Sequence, residues 1–302
     1  MASLEKKVMV MGIDGSGEKA VDRLRKILAK PGLTQMPCCF DALSARLIER
    51  AGFPVTFMSG FAVSAARLGL PDTGLISYGE MLDQGRNICA ATGIPVIGDG
   101  DTGYGNAVNV KRTVAGYAQA GFAAVMIEDQ VWPKRCGHTR GKAVVDHAEA
   151  MARVQAAVDA RNEGADILIL ARTDARGTDG LDEALRRVEG FQRLGADILF
   201  LEAPKSEAEM RAFCSAVDRP TLANLVEQGE TPLLAPAALE EIGYKLAAYP
   251  LTLLSVAMRA MEEALATFKD GRHPEALLTF AELRQRVGFE DYYSEEERYA
   301  GG

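Results

Sequence analysis

The chain has 302 residues, of which 48% are apolar and 25% charged, and its net charge at pH 7 is −8. This length and apolar content suffice for one large α/β domain or two small ones, and they exclude a disordered or low-complexity chain. An acidic surface repels nucleic acids and anionic membranes, so neither is an expected partner. The five cysteines are scattered and lack CxxC spacing, which is typical of a reduced, cytoplasmic protein.

Short β-branched runs alternate along the chain with amphipathic stretches of helical length, a pattern typical of parallel β/α units. The strands are predicted at residues 38–40, 54–58, 94–97, 123–127, 167–171, 198–201, 221–225 and 245–248. Helices are predicted between them, among others at residues 78–91, 108–120, 148–162 and 181–194. Eight such units predict a (β/α)8 TIM-type barrel, with a doubly wound open sheet as the alternative.

The predicted organisation is a single domain in three parts: an N-terminal extension and helix over residues 1–35, the barrel over 36–252, and a C-terminal helical extension over 253–302. Helices are expected at 253–269 and 274–287. Segment 289–299 is acidic, contains three tyrosines and has too little apolar content to fold alone. We expect it to pack on another surface, such as a neighbouring subunit.

Polar residues follow most of the predicted strands. They are Asp41, Ser59, Gly60, Asp99, Asp101, Glu128, Asp129, Arg172, Asp174, Glu202, Asn224 and Glu227. The carboxyl ends of parallel barrel strands open on one face, so these side chains are expected to converge on a site. Helix N-capping is the alternative for Asp, Ser and Asn, but it does not account for Glu128, Arg172 and Glu202.

The segment from Gly98 to Gly103 has the spacing G-x-G-x-x-G between a predicted strand and a helix. A dinucleotide-binding loop is one interpretation of this spacing. However, Asp99 and Asp101 would place two carboxylates beside a pyrophosphate, which is unfavourable without a cation. Together with Glu128 they are better interpreted as oxygen ligands of Mg²⁺ or Mn²⁺.

A basic loop at residues 134–138 contains Lys134, Arg135, Cys136 and His138. Nearby positive charge lowers the pKa of a thiol, so Cys136 is a candidate reactive cysteine. An incidental surface cysteine is an equally weighted alternative. Zinc is not expected, because one cysteine and one histidine do not complete a zinc site.

Four segments together carry a resemblance to a known family: 98–105 (GDGDTGYG), 127–130 (IEDQ), 134–138 (KRCGH) and 171–174 (ARTD). They resemble the isocitrate lyase/phosphoenolpyruvate mutase superfamily, and the similarity extends from about Met36 into the C-terminal tail. A cysteine in the basic loop is typical of the carbon–carbon lyases of this family. The run from 128 to 142 is most similar to the 2,3-dimethylmalate lyase branch, with the 2-methylisocitrate lyases next.

The resemblance implies a (β/α)8 barrel whose C-terminal helix is exchanged between subunits, in a dimer of helix-swapped dimers. It implies an Mg²⁺ shell, with Mn²⁺ as the alternative, at Asp99, Asp101 and Glu128. It assigns substrate binding to Ser59, Gly60, Phe61, Asp72, Gly137, Arg172, Glu202 and Asn224, and catalysis to Cys136, Lys134, His138, Arg172 and Glu128. Cys136 would be the proton donor, whereas the role of Asp72 is left open.

The activity implied is cleavage of a small 2-hydroxy dicarboxylate, such as 2,3-dimethylmalate or another 2-alkylmalate, to an α-keto acid and a saturated acid. The alternatives within the family are 2-methylisocitrate cleavage, oxaloacetate hydrolysis and phosphonopyruvate chemistry. Pro250 stands where the oxaloacetate hydrolases tend to have serine, which disfavours that activity. A metal-dependent α-keto acid binding protein without turnover is the alternative from another class.

Overall fold

Eight parallel strands close into a barrel in the computed structural model, which describes residues 17–136 and 141–300. The strands, β1 to β8, are Thr34–Cys39, Thr56–Met58, Val96–Asp99, Ala124–Glu128, Leu168–Thr173, Ile198–Leu201, Thr221–Asn224 and Leu246–Tyr249. They pair in chain order, and β8 closes the barrel on β1 with Thr34 opposite Leu246. The predicted TIM-type barrel is therefore confirmed, and the open sheet is excluded.

Helices surround the barrel and extend beyond it. In chain order, α1 to α13 are Ala20–Ala29, Ala42–Arg50, Gly60–Leu68, Tyr78–Ala91, Ala107–Gln119, His147–Asn162, Ala175–Thr178, Leu181–Leu194, Glu207–Ala216, Pro236–Ile242, Thr252–Lys269, Phe280–Val287 and Phe289–Tyr299. None of the described helices is both long and apolar enough to cross a membrane.

The strand side chains alternate between two apolar layers. On β4, Met126 points into the barrel interior, whereas Val125 and Ile127 pack in the layer between the strands and the helices. Val21 and Leu24 of α1 belong to the interior cluster, so this helix closes the barrel at the amino ends of the strands. A pocket inside the barrel therefore opens at the carboxyl ends.

The sequence located most elements but misplaced the first strand. The bounds predicted for α4 and α8 agree with the structure at both ends. Strand β1, in contrast, begins at Thr34, within the predicted N-terminal extension, and not after Pro37. Pro37 is tolerated inside this strand because pairing changes there: Thr34 to Pro37 pair with β8, whereas Cys38 and Cys39 pair with β2.

The C-terminal extension differs from its prediction in two ways. Helix α12 begins at Phe280 and not near residue 274, because Thr279 and Glu282 form a capping box at that point. Segment 289–299, for which no helix was predicted, forms helix α13, and its expected packing on another surface stays a prediction. Glu290 and Asp291 lie in its first turn, where negative charge favours the helix dipole. No residue of α12 or α13 is buried.

Candidate active site

One pocket at the carboxyl ends of the strands collects most of the polar residues that the sequence singled out. Its polar lining consists of Ser59, Asp72, Asp99, Glu128, Lys134, Arg135, Cys136, Arg172, Glu202 and Asn224. Its apolar lining consists of Cys38, Phe57, Phe61, Met126, Phe200, Leu222, Val226, Ala248, Pro250 and Leu251. The polar strand ends thus converge within one barrel mouth.

Asp99 and Gly60 form a close contact between β3 and the start of α3. The Gly60 N–H donates to Asp99 Oδ2 at 3.1 Å, and the Asp101 N–H donates to Asp99 Oδ1 at 3.0 Å. A Cβ atom at position 60 would lie 2.4 Å from Asp99 Oδ2, so any larger residue there would displace the Asp99 carboxylate. Burial, together with the negative charge of Asp101, raises the pKa of Asp99 to about 6. Ser59 caps α3 by accepting from the Ala62 N–H at 3.3 Å.

Lys134 extends from the basic loop into a pair of carboxylates. Its Nζ lies 2.6 Å from Asp72 Oδ1 and 2.8 Å from Asp101 Oδ1, and all three side chains are buried. Burial opposes the charge on the amine, but Asp101 and Asp72 outweigh it and raise the pKa of Lys134 well above its usual range. The amine is therefore a fixed cation. The role of Asp72, open in the sequence, is in this structure to pair with Lys134.

Arg172 lies among three carboxylates at the end of β5. Its Nε is 2.7 Å from Asp174 Oδ2 and 3.3 Å from Glu128 Oε2, and its Nη2 is 3.0 Å from Glu202 Oε2. The guanidinium lies 5.1 Å from the centre of the Phe200 ring, a cation–π distance. Asn224 Nδ2 donates to Glu202 Oε2 at 3.2 Å, so Glu202 and Asn224 form one wall beside Arg172.

Carboxylates of the pocket and of the adjoining turn retain unused oxygen atoms; Asp101 lies outside the pocket lining, bonded through its N–H to Asp99. Asp101 Oδ2 and Glu128 Oε1 are buried and have no hydrogen-bond partner among the described residues. Burial raises the pKa of Glu128 well above its usual range, despite the opposing charge of Arg172. Within residues 17–136 and 141–300, no group of three or more His, Cys, Asp or Glu side chains is placed so that together they could hold a metal ion. The donors nevertheless fit a hard cation that completes its shell with water or substrate, as Mg²⁺ does.

The backbone at Asp101 is in an unusual conformation, with φ at +48°. This region is uncommon for residues other than glycine and is typical of functional sites. It is held by two hydrogen bonds between the β3 and β4 ends: the Gly100 N–H donates to Met126 O, and the Glu128 N–H donates to Asp101 O. The turn therefore fixes Asp99, Asp101 and Glu128 relative to one another.

Cys136 is half-buried and lines the pocket beside Arg135. It thus shares a cavity with Arg172 and the carboxylates, which an incidental surface cysteine would not. Gly137 and His138 lie outside the described residues, so their predicted roles stay predictions.

Other polar strand ends lie outside the pocket lining. Asp41 is the N-cap of α2, accepting from the Ser44 N–H at 2.6 Å, so the capping alternative is right there. Glu227 contacts the Thr252 hydroxyl. Asp129 is buried and accepts from Arg187 Nη1 at 2.9 Å.

Sequence reasoning missed the apolar half of the pocket apart from Phe61 and Pro250, and it missed the support of Arg172 by Asp174. Phe200, Leu222 and Ala248 each precede the ends of buried strands at inward-facing positions, so strand alternation was the signal available. Arg172 lies in β5 and Asp174 directly follows the end of this strand, so the two-residue spacing was the signal available.

The chain was compared with known proteins. Residues 24–269 match the family model described as phosphoenolpyruvate phosphomutase. A 2,3-dimethylmalate lyase from Eubacterium barkeri is 42% identical over 93% of this chain and 98% of its own length. A probable 2-methylisocitrate lyase from Corynebacterium glutamicum is 46% identical over 80% of this chain and 78% of its own.

Solved structures of the same family are also similar to this chain. An oxaloacetate acetylhydrolase bound to 3,3-difluorooxalacetate matches with a TM-score of 0.89 at 33% identity, over 94% of this chain and 98% of that one. A phosphonopyruvate hydrolase in complex with oxalate and Mg²⁺ matches with a TM-score of 0.83 at 29% identity, over 94% and 100%. The chain therefore belongs to the phosphoenolpyruvate mutase/isocitrate lyase superfamily and is an enzyme of its carbon–carbon lyase class.

Proposed function

We propose that this enzyme cleaves the C2–C3 bond of 2,3-dimethylmalate or a related 2-alkylmalate, giving an α-keto acid such as pyruvate and a saturated acid such as propionate. The observation that carries the proposal is that Cys136, the proposed proton donor, lines the same pocket as Arg172 and the carboxylate cluster. Binding alone needs no such acid, which disfavours an α-keto acid binding protein.

We propose Mg²⁺ as the cofactor, with Mn²⁺ as the alternative, held by Asp99, Asp101 and Glu128 directly or through water. The buried oxygens of Asp101 and Glu128, which have no hydrogen-bond partner among residues 17–136 and 141–300, support this assignment. The excess of buried carboxylates over buried cations at the site supports it as well. When bound, the cation lowers the pKa of the substrate hydroxyl and fixes the adjacent carboxylate.

The protein's own residues then account for the remaining steps. The C2 hydroxyl loses its proton to a base, for which a carboxylate of the cluster is the candidate. The C2–C3 electron pair moves to C3, and C2 becomes the carbonyl carbon of the α-keto acid. The other fragment leaves as an enolate of a carboxylate, whose negative charge Lys134 and Arg172 stabilise. Cys136 protonates C3 of this enolate, which gives the saturated acid. His138 is proposed to add positive charge at this stage.

Substrate binding follows from the two faces of the pocket. Arg172 is proposed to bind the α-keto acid portion, opposite the wall formed by Glu202 and Asn224. Ser59, Gly60, Phe61 and Gly137 are proposed to hold a carboxylate; for Gly60 this requires its N–H to exchange Asp99 for the substrate, since the two are bonded here.

The apolar residues of the lining favour alkyl substituents on the substrate. Val226, Pro250 and Leu251 lie at the pocket with no charge of their own. Burying a methyl group there costs no desolvation free energy. Burying a carboxylate there would be unfavourable, because these three residues offer it no charged partner. Arg135 also lines the pocket, and its positive charge could pair with a third carboxylate of the substrate. This observation makes 2-methylisocitrate, a tricarboxylate, the second candidate.

We further propose a cytoplasmic homo-oligomer in which α11 and α12 pack on a neighbouring subunit. Large apolar side chains on these helices are exposed, among them Leu265 at 66% and Phe280 at 75%. Large exposed apolar side chains concentrated on two helices are typical of a subunit interface.

Identification of the products formed from a substrate panel in MgCl₂ tests the proposal: carbon–carbon lyase activity releases an α-keto acid, whereas oxaloacetate hydrolysis releases oxalate and acetate. The panel contains 2,3-dimethylmalate, other 2-alkylmalates, 2-methylisocitrate, isocitrate, oxaloacetate and phosphonopyruvate. We expect the highest kcat/KM with a 2-alkylmalate and no activity after EDTA. A preference for 2-methylisocitrate keeps the chemistry but changes the substrate, and a preference for oxaloacetate or phosphonopyruvate contradicts the proposal.

A further inference from the structure

The side-chain amide of Gln130 forms two hydrogen bonds with the main chain of Arg135. Gln130 Nε2 donates to Arg135 O at 2.9 Å, and Gln130 Oε1 accepts from the Arg135 N–H, also at 2.9 Å. One amide thus satisfies both backbone groups of a single residue, as a strand partner would. Gln130 is 1% exposed, whereas Arg135 is exposed, so the bonds are anchored on their buried side by the Gln130 amide.

Gln130 is itself anchored to the barrel. It lies two residues after the end of β4, and its carbonyl accepts from Arg153 Nη1 of α6 at 2.7 Å. It also forms an isolated antiparallel bridge with Val144. The two hydrogen bonds from Gln130 to Arg135 therefore fix the basic loop relative to the end of β4.

Arg135 lies between Lys134 and Cys136, and all three residues line the pocket. Lys134, on one side, is held by Asp72 and Asp101. Cys136, on the other side, is in a segment without regular secondary structure. Fixing the Arg135 peptide groups limits how far Cys136 can move away from the pocket.

We infer that Gln130 is a positioning residue, which holds the main chain at Arg135 so that Cys136 faces the substrate. The inference rests on the proposed role of Cys136, but not on the identity of the substrate. A displacement of about 1 Å at a reacting group can reduce a rate about 10²-fold. Loss of the two hydrogen bonds should therefore lower kcat more than it raises KM.

The test compares Gln130→Met with wild type. Methionine is similar in length but cannot form either hydrogen bond. The matched control is Gln192→Met: Gln192 Oε1 accepts from the backbone N–H groups of Asp218 and Arg219, and so holds another loop, next to the amino end of β7. Both variants lose an amide that binds main chain, but only one loses it at the pocket.

We expect Gln130→Met to lower kcat about 10- to 100-fold with KM changed by less than about threefold. Iodoacetamide should alkylate Cys136 several-fold faster than in wild type, as followed by peptide mass spectrometry. Gln192→Met should change neither quantity. Wild-type values of both kcat and Cys136 alkylation in Gln130→Met overturn the inference, and so does a lower kcat with unchanged alkylation.

Hydrogen exchange of the Arg135 amide in the wild-type enzyme is an independent test that needs no variant. The inference predicts an amide that exchanges much more slowly than an unprotected one; exchange at the unprotected rate contradicts it. Alkylation and exchange require no turnover. Failure of the proposed lyase activity would therefore be distinguished from failure of this inference.

Discussion

Lys134 Nζ lies 2.8 Å from Oδ1 of Asp101, and both side chains are almost fully buried. The pair joins the basic loop after β4 to the carboxylate turn after β3. Because the pKa of Lys134 is held well above its usual range by Asp101 and Asp72 against the cost of burial, the amine stays protonated. Lys134 is thus suited to stabilise an anionic intermediate and unsuited to act as the base.

Replacing Lys134 tests the energetic side of this arrangement. Lys134→Met leaves Asp72 and Asp101 buried without their counter-ion, which should lower the free energy of unfolding by about 3–5 kcal/mol in metal-free buffer. Urea unfolding measures it. The control is Lys111→Met, which breaks the exposed pair with Glu163 and should cost less than about 1 kcal/mol. Equal effects of the two variants would contradict the account.

Cys136→Ser tests the proposed acid. A positioned acid contributes about 10²–10⁴-fold, so kcat should fall by that factor while KM stays within about threefold of wild type. Steady-state pyruvate release provides both constants. Cys214→Ser is the control, because Cys214 contacts Thr221 and lies outside the pocket lining. Full turnover by Cys136→Ser would remove the residue from the mechanism.

Metal binding should depend on pH through Asp99. Its pKa of about 6 lies above the ordinary 3.8, so in the metal-free protein this carboxyl favours folding below about pH 3.8 and loses that contribution as the pH rises through 6. A cation requires the ionised form. Its apparent affinity should therefore weaken up to about tenfold per unit as the pH falls below 6.

Thermal unfolding with and without MgCl₂ measures this dependence, and we expect a larger rise in Tm at pH 7.5 than at pH 5. Asp99→Asn is the control and should remove most of the rise at both values. An equal rise at pH 7.5 and pH 5 in the wild-type enzyme would exclude Asp99 as the titrating ligand.

Because α11 and α12 expose large apolar side chains, we expect oligomerisation of the enzyme to depend on these two helices. The double variant Leu265→Glu, Phe280→Glu places charge on this surface and should shift the mass measured by light scattering from oligomer to monomer. Val108→Glu is the control, since Val108 is 74% exposed but lies on α5. A monomeric wild-type enzyme would contradict the proposed interface.

The sequence predicted the architecture well because its signals are local. Leu181–Leu194 is recognisable by its amphipathic period and by Gly195, which adopts φ +101° at the C-cap. The prediction of β1 is wrong at its start, because proline is typical of a strand boundary. Strand β1 instead continues through Pro37 and changes its partner strand there.

The site was predictable where one residue type implies one chemistry, as for Asp99 and Glu128 after buried strands. Contacts between distant residues were not. The pairing of Asp72 with Lys134 joins residues 62 positions apart, and Gln130 carries no distinctive signal until its partner is known. Such contacts depend on how loops fold over the barrel mouth, which periodicity does not determine.

The most direct test of the central claim is ¹³C NMR of 2,3-dimethylmalate incubated with the enzyme and MgCl₂ in D₂O. The account predicts equal amounts of pyruvate and of propionate carrying one deuterium at C2, delivered when the enolate is protonated. Unchanged 2,3-dimethylmalate and 2-alkylmalates, in the presence of rapid oxaloacetate or phosphonopyruvate turnover, would contradict it.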